Sequence, residues 1–292
     1  MGYSIQSNTI STFIANSAAL NAICGEIDGN IGSSIPQPVL VIGQEGSGKT
    51  TLFRRLITKY PSLHFVWVDG RFIFSSSDIT EQVSGDSILI IDNLDYFLAR
   101  CSYEEQFRLR RFLYNEGAPM MIASVSKLIP ALTEYKAPFF EGLKKIHLPP
   151  ITDGDLNQIF SEDSIDRASA MFNFVPPTIK SVEIISNIIK AGGNSKDDLD
   201  FLLSYYSIIY RDIYKNVPTN SQHILNILSN SEKDMTVPDI REASGLTSGI
   251  LTPYLKSLKE KDIIIKDSSV KRSTKYFIKD PLFRIWLKKE TL

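Results

Sequence analysis

The sequence predicts an α/β protein with a parallel sheet, followed by a small all-helical region and a final module of helices and a hairpin. Three observations predict this. Short apolar runs alternate with helical stretches from Val39 to Leu148, the spacing of successive β-α-β units. After Pro150 the β-type runs stop, and residues 153–215 keep only helical periodicity. After Pro218 three short helical stretches precede two β-rich runs, the order of a winged helix-turn-helix. The expected units are therefore 1–150, 151–217 and 218–292.

Each element has its own reason. Asn8 to Ile31 is helical in pattern, with Ile10, Phe13, Ile14, Ala18, Leu20, Ile23 and Ile27 apolar, and Gly32 to Pro38 reads as a loop. Val39-Leu40-Val41-Ile42 is a continuous apolar run, which suits a strand buried on both faces. Thr50 to Tyr60 is a helix stopped by Pro61. Leu63 to Val68 is a second strand, ended by Asp69-Gly70. Asp78 to Val83 is a short helix, and Ser87 to Ile91 a third strand. Tyr103 to Asn115 is a charged helix stopped by Gly117 and Pro119. Met120 to Ala123 is a fourth strand, and Lys144 to Leu148 a fifth, closed by Pro149-Pro150. Breaks in the helical region fall at Pro176-Pro177 and Gly192-Gly193. In the last unit His223 to Leu228, Val237 to Ala243 and Thr247 to Leu258 read as helices. Ile263 to Ile265 and Lys275 to Ile278 read as strands, separated by the polar run Lys266 to Thr274.

Composition excludes several function classes. The 292 residues hold 32 basic and 33 acidic side chains, net −1, with 22% charged and 43% hydrophobic residues, so the chain is neither disordered nor polybasic. Two cysteines, Cys24 and Cys101, make no disulfide framework. His64, His147 and His223 lie far apart and without ligand spacing. No apolar run approaches the roughly 18 residues of a membrane span, and the N-terminus lacks a basic segment followed by an apolar one. The expectation is a cytoplasmic protein with no membrane partner.

Gly43-Gln44-Glu45-Gly46-Ser47-Gly48-Lys49-Thr50 fits the pattern G-x-x-x-x-G-K-[ST], between an apolar strand and a helix. Glycines let successive backbone N–H groups converge on phosphate oxygens. The helix opening near Gly48 adds its N-terminal dipole. Lys49 is expected on the β- and γ-phosphates and the Thr50 hydroxyl on Mg²⁺, with Thr51 completing the cradle. Ser87 to Asp92 supplies the partner, an apolar strand that delivers Asp92 to the magnesium at its C-terminal end. Many P-loop ATPases place Glu after this Asp, whereas this chain has Asn93, which can orient water but cannot take its proton. Slow hydrolysis follows. Asp95 is either an alternative base or the N-cap of a helix over Tyr96-Phe97-Leu98. In a sheet ordered 5-1-4-3-2, Ser124 at the end of the fourth strand is either a phosphate sensor or a strand-end turn serine. No guanine-type N-K-x-D motif is present, which favours ATP.

These motifs together resemble the AAA+/STAND-type P-loop ATPases, in particular prokaryotic, archaeal-type members with a C-terminal winged helix. The resemblance rests on Gly43 to Thr50, Ile88 to Asp95, Ser124 and the turn Ile146 to Asp153, similar to the one that leads into the helical lid. Pro176-Pro177-Thr178-Ile179 is similar to a lid segment, with Val175 where a glycine is usual. Tyr135 to Phe140 and Tyr276 to Trp286 extend the likeness from about Ala18 to the end. It implies an ATPase core, a lid and a winged helix; a nucleotide-dependent homo-oligomer is compatible with it, and the sequence does not fix the oligomeric state. Two departures stand out. Lys180 is the nearest cation to the place of the lid's sensor arginine, and no arginine finger is placed. Arg108, Arg110 and Arg111 are either intersubunit arginines or a solvated helix face. Such ATPases often continue into an effector domain, so an effector here is expected to be a separate partner chain.

Residues 219–292 carry 13 Lys and Arg against 9 Asp and Glu, net +4, and residues 1–218 carry 19 against 24, net −5. The last module is therefore the candidate for duplex DNA. Thr247, Ser248, Thr252 and Lys256 lie on its third helix, and Lys271 and Arg272 in its wing. None on the helix is the Arg or Asn of strong base readout, so mostly backbone-directed contact is expected. The alternative is a module that docks protein and never touches DNA. Tyr205, Tyr206, Tyr210 and Tyr214 read as helix-packing residues, and Trp286 with Phe283 and Leu287 as the anchor of a final helix.

Overall fold

The computed structural model describes residues 17–30, 32–268 and 274–290. The N-terminal half of the expected first helix, Asn8 to Asn16, lies outside them, as do Lys271 and Arg272. The chain divides into two compact units. The first is residues 1–159 with 177–183, and the second is 160–176 with 184–292.

The first unit is a five-stranded sheet with helices on both faces. Its strands are β1 (Val39–Ile42), β2 (His64–Asp69), β3 (Ser87–Asp92), β4 (Met120–Val125) and β5 (Lys144–His147). They run β2-β3-β4-β1-β5 across the sheet, all parallel. Sequence character decides position. The unbroken apolar runs of β1, β3 and β4 are buried at every residue, whereas β2 and β5, with His64, Lys144, Lys145 and His147, form the edges.

Alternation along each strand builds two cores. Val39, Val41, Ile88, Ile90 and Ile122 face α1 (Ser17–Asn30) and α2 (Lys49–Lys59), and pack on Ile23, Ile27, Leu52, Phe53 and Leu56. Leu40, Ile42, Leu89, Ile91 and Met121 face the other way, onto α4 (Leu94–Arg100) and α5 (Tyr103–Leu113) through Phe97, Leu109 and Leu113. Between these, α3 (Ser77–Thr80) follows β2, and α6 (Pro130–Thr133) follows β4. Leu94, Phe97 and Leu98 on α4 recur at helical spacing and are buried in the second core, whereas the short α6 falls where the sequence shows no clear period.

β4 runs past its expected last residue, Ala123, through Ser124 to Val125, and Ser124 is fully buried. A serine tolerates this position because its hydroxyl is satisfied by Asp92 and by the Asn93 N–H.

Helix α7 (Asp153–Ile159) and the first turn of α9 (Ile179–Lys190) belong to the first unit. The second unit contains α8 (Glu162–Phe172), the rest of α9, α10 (Asp198–Lys215), α11 (Thr219–Asn230), α12 (Val237–Ser244), α13 (Ser248–Glu260) and α14 (Pro281–Glu290). A small antiparallel sheet, ordered β6-β8-β7, joins β6 (Met235–Thr236), β7 (Ile264–Asp267) and β8 (Lys275–Ile278). Arg167 on α8 grips Asp198 at the start of α10 through two bonds, 2.6 and 2.5 Å long, with Asp198 only 5% exposed. Helix α14 is capped by Asp280, which accepts from the Leu282 and Phe283 N–H groups and from the Tyr210 hydroxyl. Tyr210, Tyr214, Phe283 and Trp286 then form one aromatic seam between α10 and α14, closed by a Trp286 Nε1–Ser207 Oγ bond.

Candidate functional site

In the first unit, the parallel register brings four strand ends to one edge of the sheet. Ile42 pairs with Val125, and Asp69 stands level with Asp92. In open α/β sheets this carboxyl edge is where ligands bind. The loop Gly43 to Gly48 leaves β1 there. Its first N–H, from Gly43, donates to Val125 O, and the Ser47 N–H donates to Gln44 O. Gly48 has φ +87° at the N-cap of α2, and a Cβ there would stand 2.5 Å from Ile179 Cδ1. Glycine meets both demands at once.

Lys49, the first residue of α2, is 7% exposed, and its ammonium donates to the carbonyls of Gly43 (2.5 Å) and Gln44 (2.9 Å). Burial pushes this ammonium below the ordinary lysine range, while Asp92, Asp95 and Glu45 pull it upward. The Thr50 hydroxyl donates to Asp92 Oδ2 at 2.6 Å, and the Ser124 hydroxyl donates to Asp92 Oδ1. Both oxygens of a 3%-exposed carboxylate are thus oriented by hydroxyls from two other elements. Gln44 and Glu45 face solvent, and Thr51 is half-buried one position along α2 from Thr50.

The remaining expected residues are placed as follows. Asn93 holds the N-cap of α4 in the left-handed region, φ 59° and ψ 45°, without a side-chain cap bond. The N-cap position is therefore not Asp95. Asp95 is buried in the first turn of α4, where Oδ2 accepts from the Ser126 N–H and hydroxyl, and Oδ1 has no hydrogen-bond partner. Lys180 approaches the loop by its backbone, donating its N–H to Gly46 O at 3.3 Å. Arg108 pairs with Glu104 and Glu105, and Arg110 donates to Pro138 O and lies over Tyr114.

One group at this edge was not foreseen. Asp69, at the end of β2, accepts from Asn93 Nδ2 at 3.2 Å and from Arg71 through Nε, Nη2 and the backbone N–H. Burial pushes its carboxyl up, but the Arg71 and Asn93 bonds outweigh that and hold it below the ordinary carboxylate range. In the sequence Asp69 shows only as a second aspartate at a strand end.

Beside the loop lies a cavity of about 220 Å³ with apolar walls from Leu148 to Ile151 and from Pro177 to Ile179, and with Gln44 and Ser47 at its polar side. The set fits a magnesium nucleotide. A buried cation, a hydroxyl–carboxylate pair and the open N-terminus of α2 meet at one strand edge, next to an apolar slot. Among the described residues, no group of three or more His, Cys, Asp and Glu side chains is arranged to hold a metal by itself.

In the second unit, α13 buries Leu251, Leu255 and Leu258 and leaves Thr247, Ser248, Thr252 and Lys256 exposed. Thr252 Oγ1 donates back to Ser248 O, and Lys256 lies 3.8 Å from Glu260. No helix among the described residues is long and apolar enough to cross a membrane.

The fold is shared with solved structures. The Aeropyrum pernix ORC1 protein in complex with DNA is similar with a TM-score of 0.64 at 13% identity, over 94% of this chain and 92% of that one. The Walker-type ATPase paby2304 of Pyrococcus abyssi is similar with a TM-score of 0.58 at 13% identity, over 90% and 93%. At this identity the likeness is one of fold. No family model and no curated protein matches the sequence.

Proposed function

We propose that this chain is an ATP-binding, slowly hydrolysing ATPase of AAA+ type, whose nucleotide state positions a C-terminal winged helix on duplex DNA. The convergence of Lys49, Thr50 and Asp92 on the Gly43–Thr50 loop carries the reading. Lys49 would exchange its two loop carbonyls for phosphate oxygens. Thr50 and Asp92 would hold Mg²⁺, which supplies charge neutralisation at the transferring phosphoryl group. The apolar slot from Leu148 to Ile179 suits a flat base. Asn93 in the place of a glutamate leaves no carboxylate at that position to take the water proton, which makes turnover slow.

The DNA assignment draws on the net +4 of residues 219–292, on the exposed face of α13 and on the fold likeness to an ORC1 protein in complex with DNA. A second reading, a nucleotide-controlled switch acting on protein partners, is favoured by Phe201, Tyr205, Ile208 and Ile209, which expose an apolar stripe on α10. The mass of the chain in solution, measured with and without non-hydrolysable ATP and with and without duplex DNA, separates them. DNA binding that weakens steeply with salt supports the first reading. Nucleotide-dependent association without DNA binding supports the second, and absence of nucleotide binding removes both.

A further inference from the structure

We infer that Asp69 is a positioning residue for hydrolysis, one that holds the Asn93 amide so that its carbonyl oxygen Oδ1 is the acceptor offered to the attacking water. The inference rests on the nucleotide reading above. A carboxylate only accepts hydrogen bonds, so the side of the amide that faces Asp69 must be the donor Nδ2, and Oδ1 is turned away from it.

Both partners are fixed. The Asn93 backbone N–H is bonded to Ser124 Oγ at 2.9 Å, and its φ of 59° leaves little freedom. Asp69 is clamped by Arg71, with Nη2 2.6 Å from Oδ2. Gly70 lets this turn close onto Asn93, since a Cβ there would stand 2.2 Å from Asn93 O. Arg100 Nη2 donates to the carbonyls of Gly70 (2.7 Å) and Ile73 (3.1 Å), pinning the turn from the other side. An amide held in one of its two orientations gives a water site that needs no reorganisation when water arrives. In the step it serves, the water oxygen bonds to the γ-phosphorus. The bond from that phosphorus to the β–γ bridging oxygen breaks, its electron pair staying on ADP. The water proton passes to a γ-phosphoryl oxygen, because an amide does not take it.

Steady-state ATP turnover and fluorescent-ATP binding on the full chain test this. Asp69→Ala and Asp69→Asn are expected to lower kcat by about tenfold or more, with KM and nucleotide affinity close to wild type. Asn93→Glu alone sets a carboxylate against Asp69 and gains no turnover. Asn93→Glu combined with Asp69→Asn regains a donor for the new carboxylate and turns over faster than wild type, which a merely structural role for Asp69 does not produce. Unchanged kcat in both Asp69 variants, or a slower double variant, overturns the inference and leaves nucleotide binding standing. So does a wild type that binds ATP without turnover. A wild type that binds no ATP overturns the nucleotide reading itself, and this inference with it.

Discussion

Lys49, Asp92 and Ser124 in the first unit are 7%, 3% and 0% exposed, and each has its polar atoms engaged by named partners. Thr247, Ser248, Thr252 and Lys256 in the second unit stand on an open helix face, and among the described residues the side-chain bonds they make stay within their own helix. Polar groups are expensive to bury unless they are satisfied. The first set therefore persists only in a closed arrangement, and that arrangement constrains its chemistry. The second set is compatible with any solvated helix, so its role depends on what approaches it.

The largest effect tests the buried set. Lys49→Met is expected to weaken ATP binding by about 100-fold, the loss of one or two charge-assisted bonds to phosphate. The same change should leave thermal stability without nucleotide equal or higher, because burial already disfavours the Lys49 ammonium. A melting temperature lowered by several degrees would show that Lys49 holds the fold and not a ligand.

One pair of substitutions sets the two units against each other directly. Gly48→Ala puts a methyl group at φ +87° and 2.5 Å from Ile179 Cδ1, so destabilisation of about 2 kcal/mol is expected. Gly249→Ala, in the first turn of α13, meets nothing within 4 Å and should stabilise by about 0.5 kcal/mol. Chemical denaturation measures both. A Gly48→Ala variant that is not destabilised would mean that the loop at Gly48 relaxes freely, contrary to the closed arrangement. On the open face, Lys256→Ala with Lys259→Ala (Lys259 is also exposed, in the last turn of α13) should reduce the slope of log affinity for duplex DNA against log salt by about 2, if both reach phosphates. An unchanged slope directs attention to the exposed stripe of α10.

The legible parts share a property, that their chemistry is contiguous. Gly43 to Thr50 must be consecutive to wrap a phosphate, and Asp92 must end an apolar strand, so both show in the letters. The alternating core of the sheet shows for the same reason, since side chains two apart share a face. What did not show depends on pairing across the sheet. Asp69 meets Asn93 only because β2 and β3 lie side by side in a register that sets Asp69 level with Asp92. Ser124 falls inside β4 because Asp92, on the neighbouring strand, satisfies it. In the second unit, the aromatic spacing in α10 and the run from Asp280 to Trp286 each point to packing. Tyr210 and Tyr214 do pack on that run, whereas Tyr205, expected to pack with them, is 51% exposed, because which face of α10 is covered is set by the tertiary fold.

A comparably small effect is expected elsewhere in the second unit, where one exposed carboxylate does a definable job. Thr236 and Asp239 form a reciprocal cap at the start of α12. Asp239 Oδ2 accepts from the Thr236 hydroxyl (2.6 Å) and N–H (2.8 Å), and the Asp239 N–H is directed back at Thr236 Oγ1. The Thr236 hydroxyl first, and its N–H second, hold the Asp239 carboxyl below the ordinary carboxylate range. A carboxyl depressed in the folded state binds its proton more weakly there than in the unfolded chain. Its contribution is therefore complete above the unfolded value, roughly 3.9, and disappears as pH falls through the folded one. Asp239→Ala should cost about 0.5–1 kcal/mol at neutral pH, as for other N-terminal caps, and the difference from wild type should close under acid. A difference that stays constant as pH falls through the whole carboxylate range would assign the loss to helix propensity or packing and not to the charge-assisted cap.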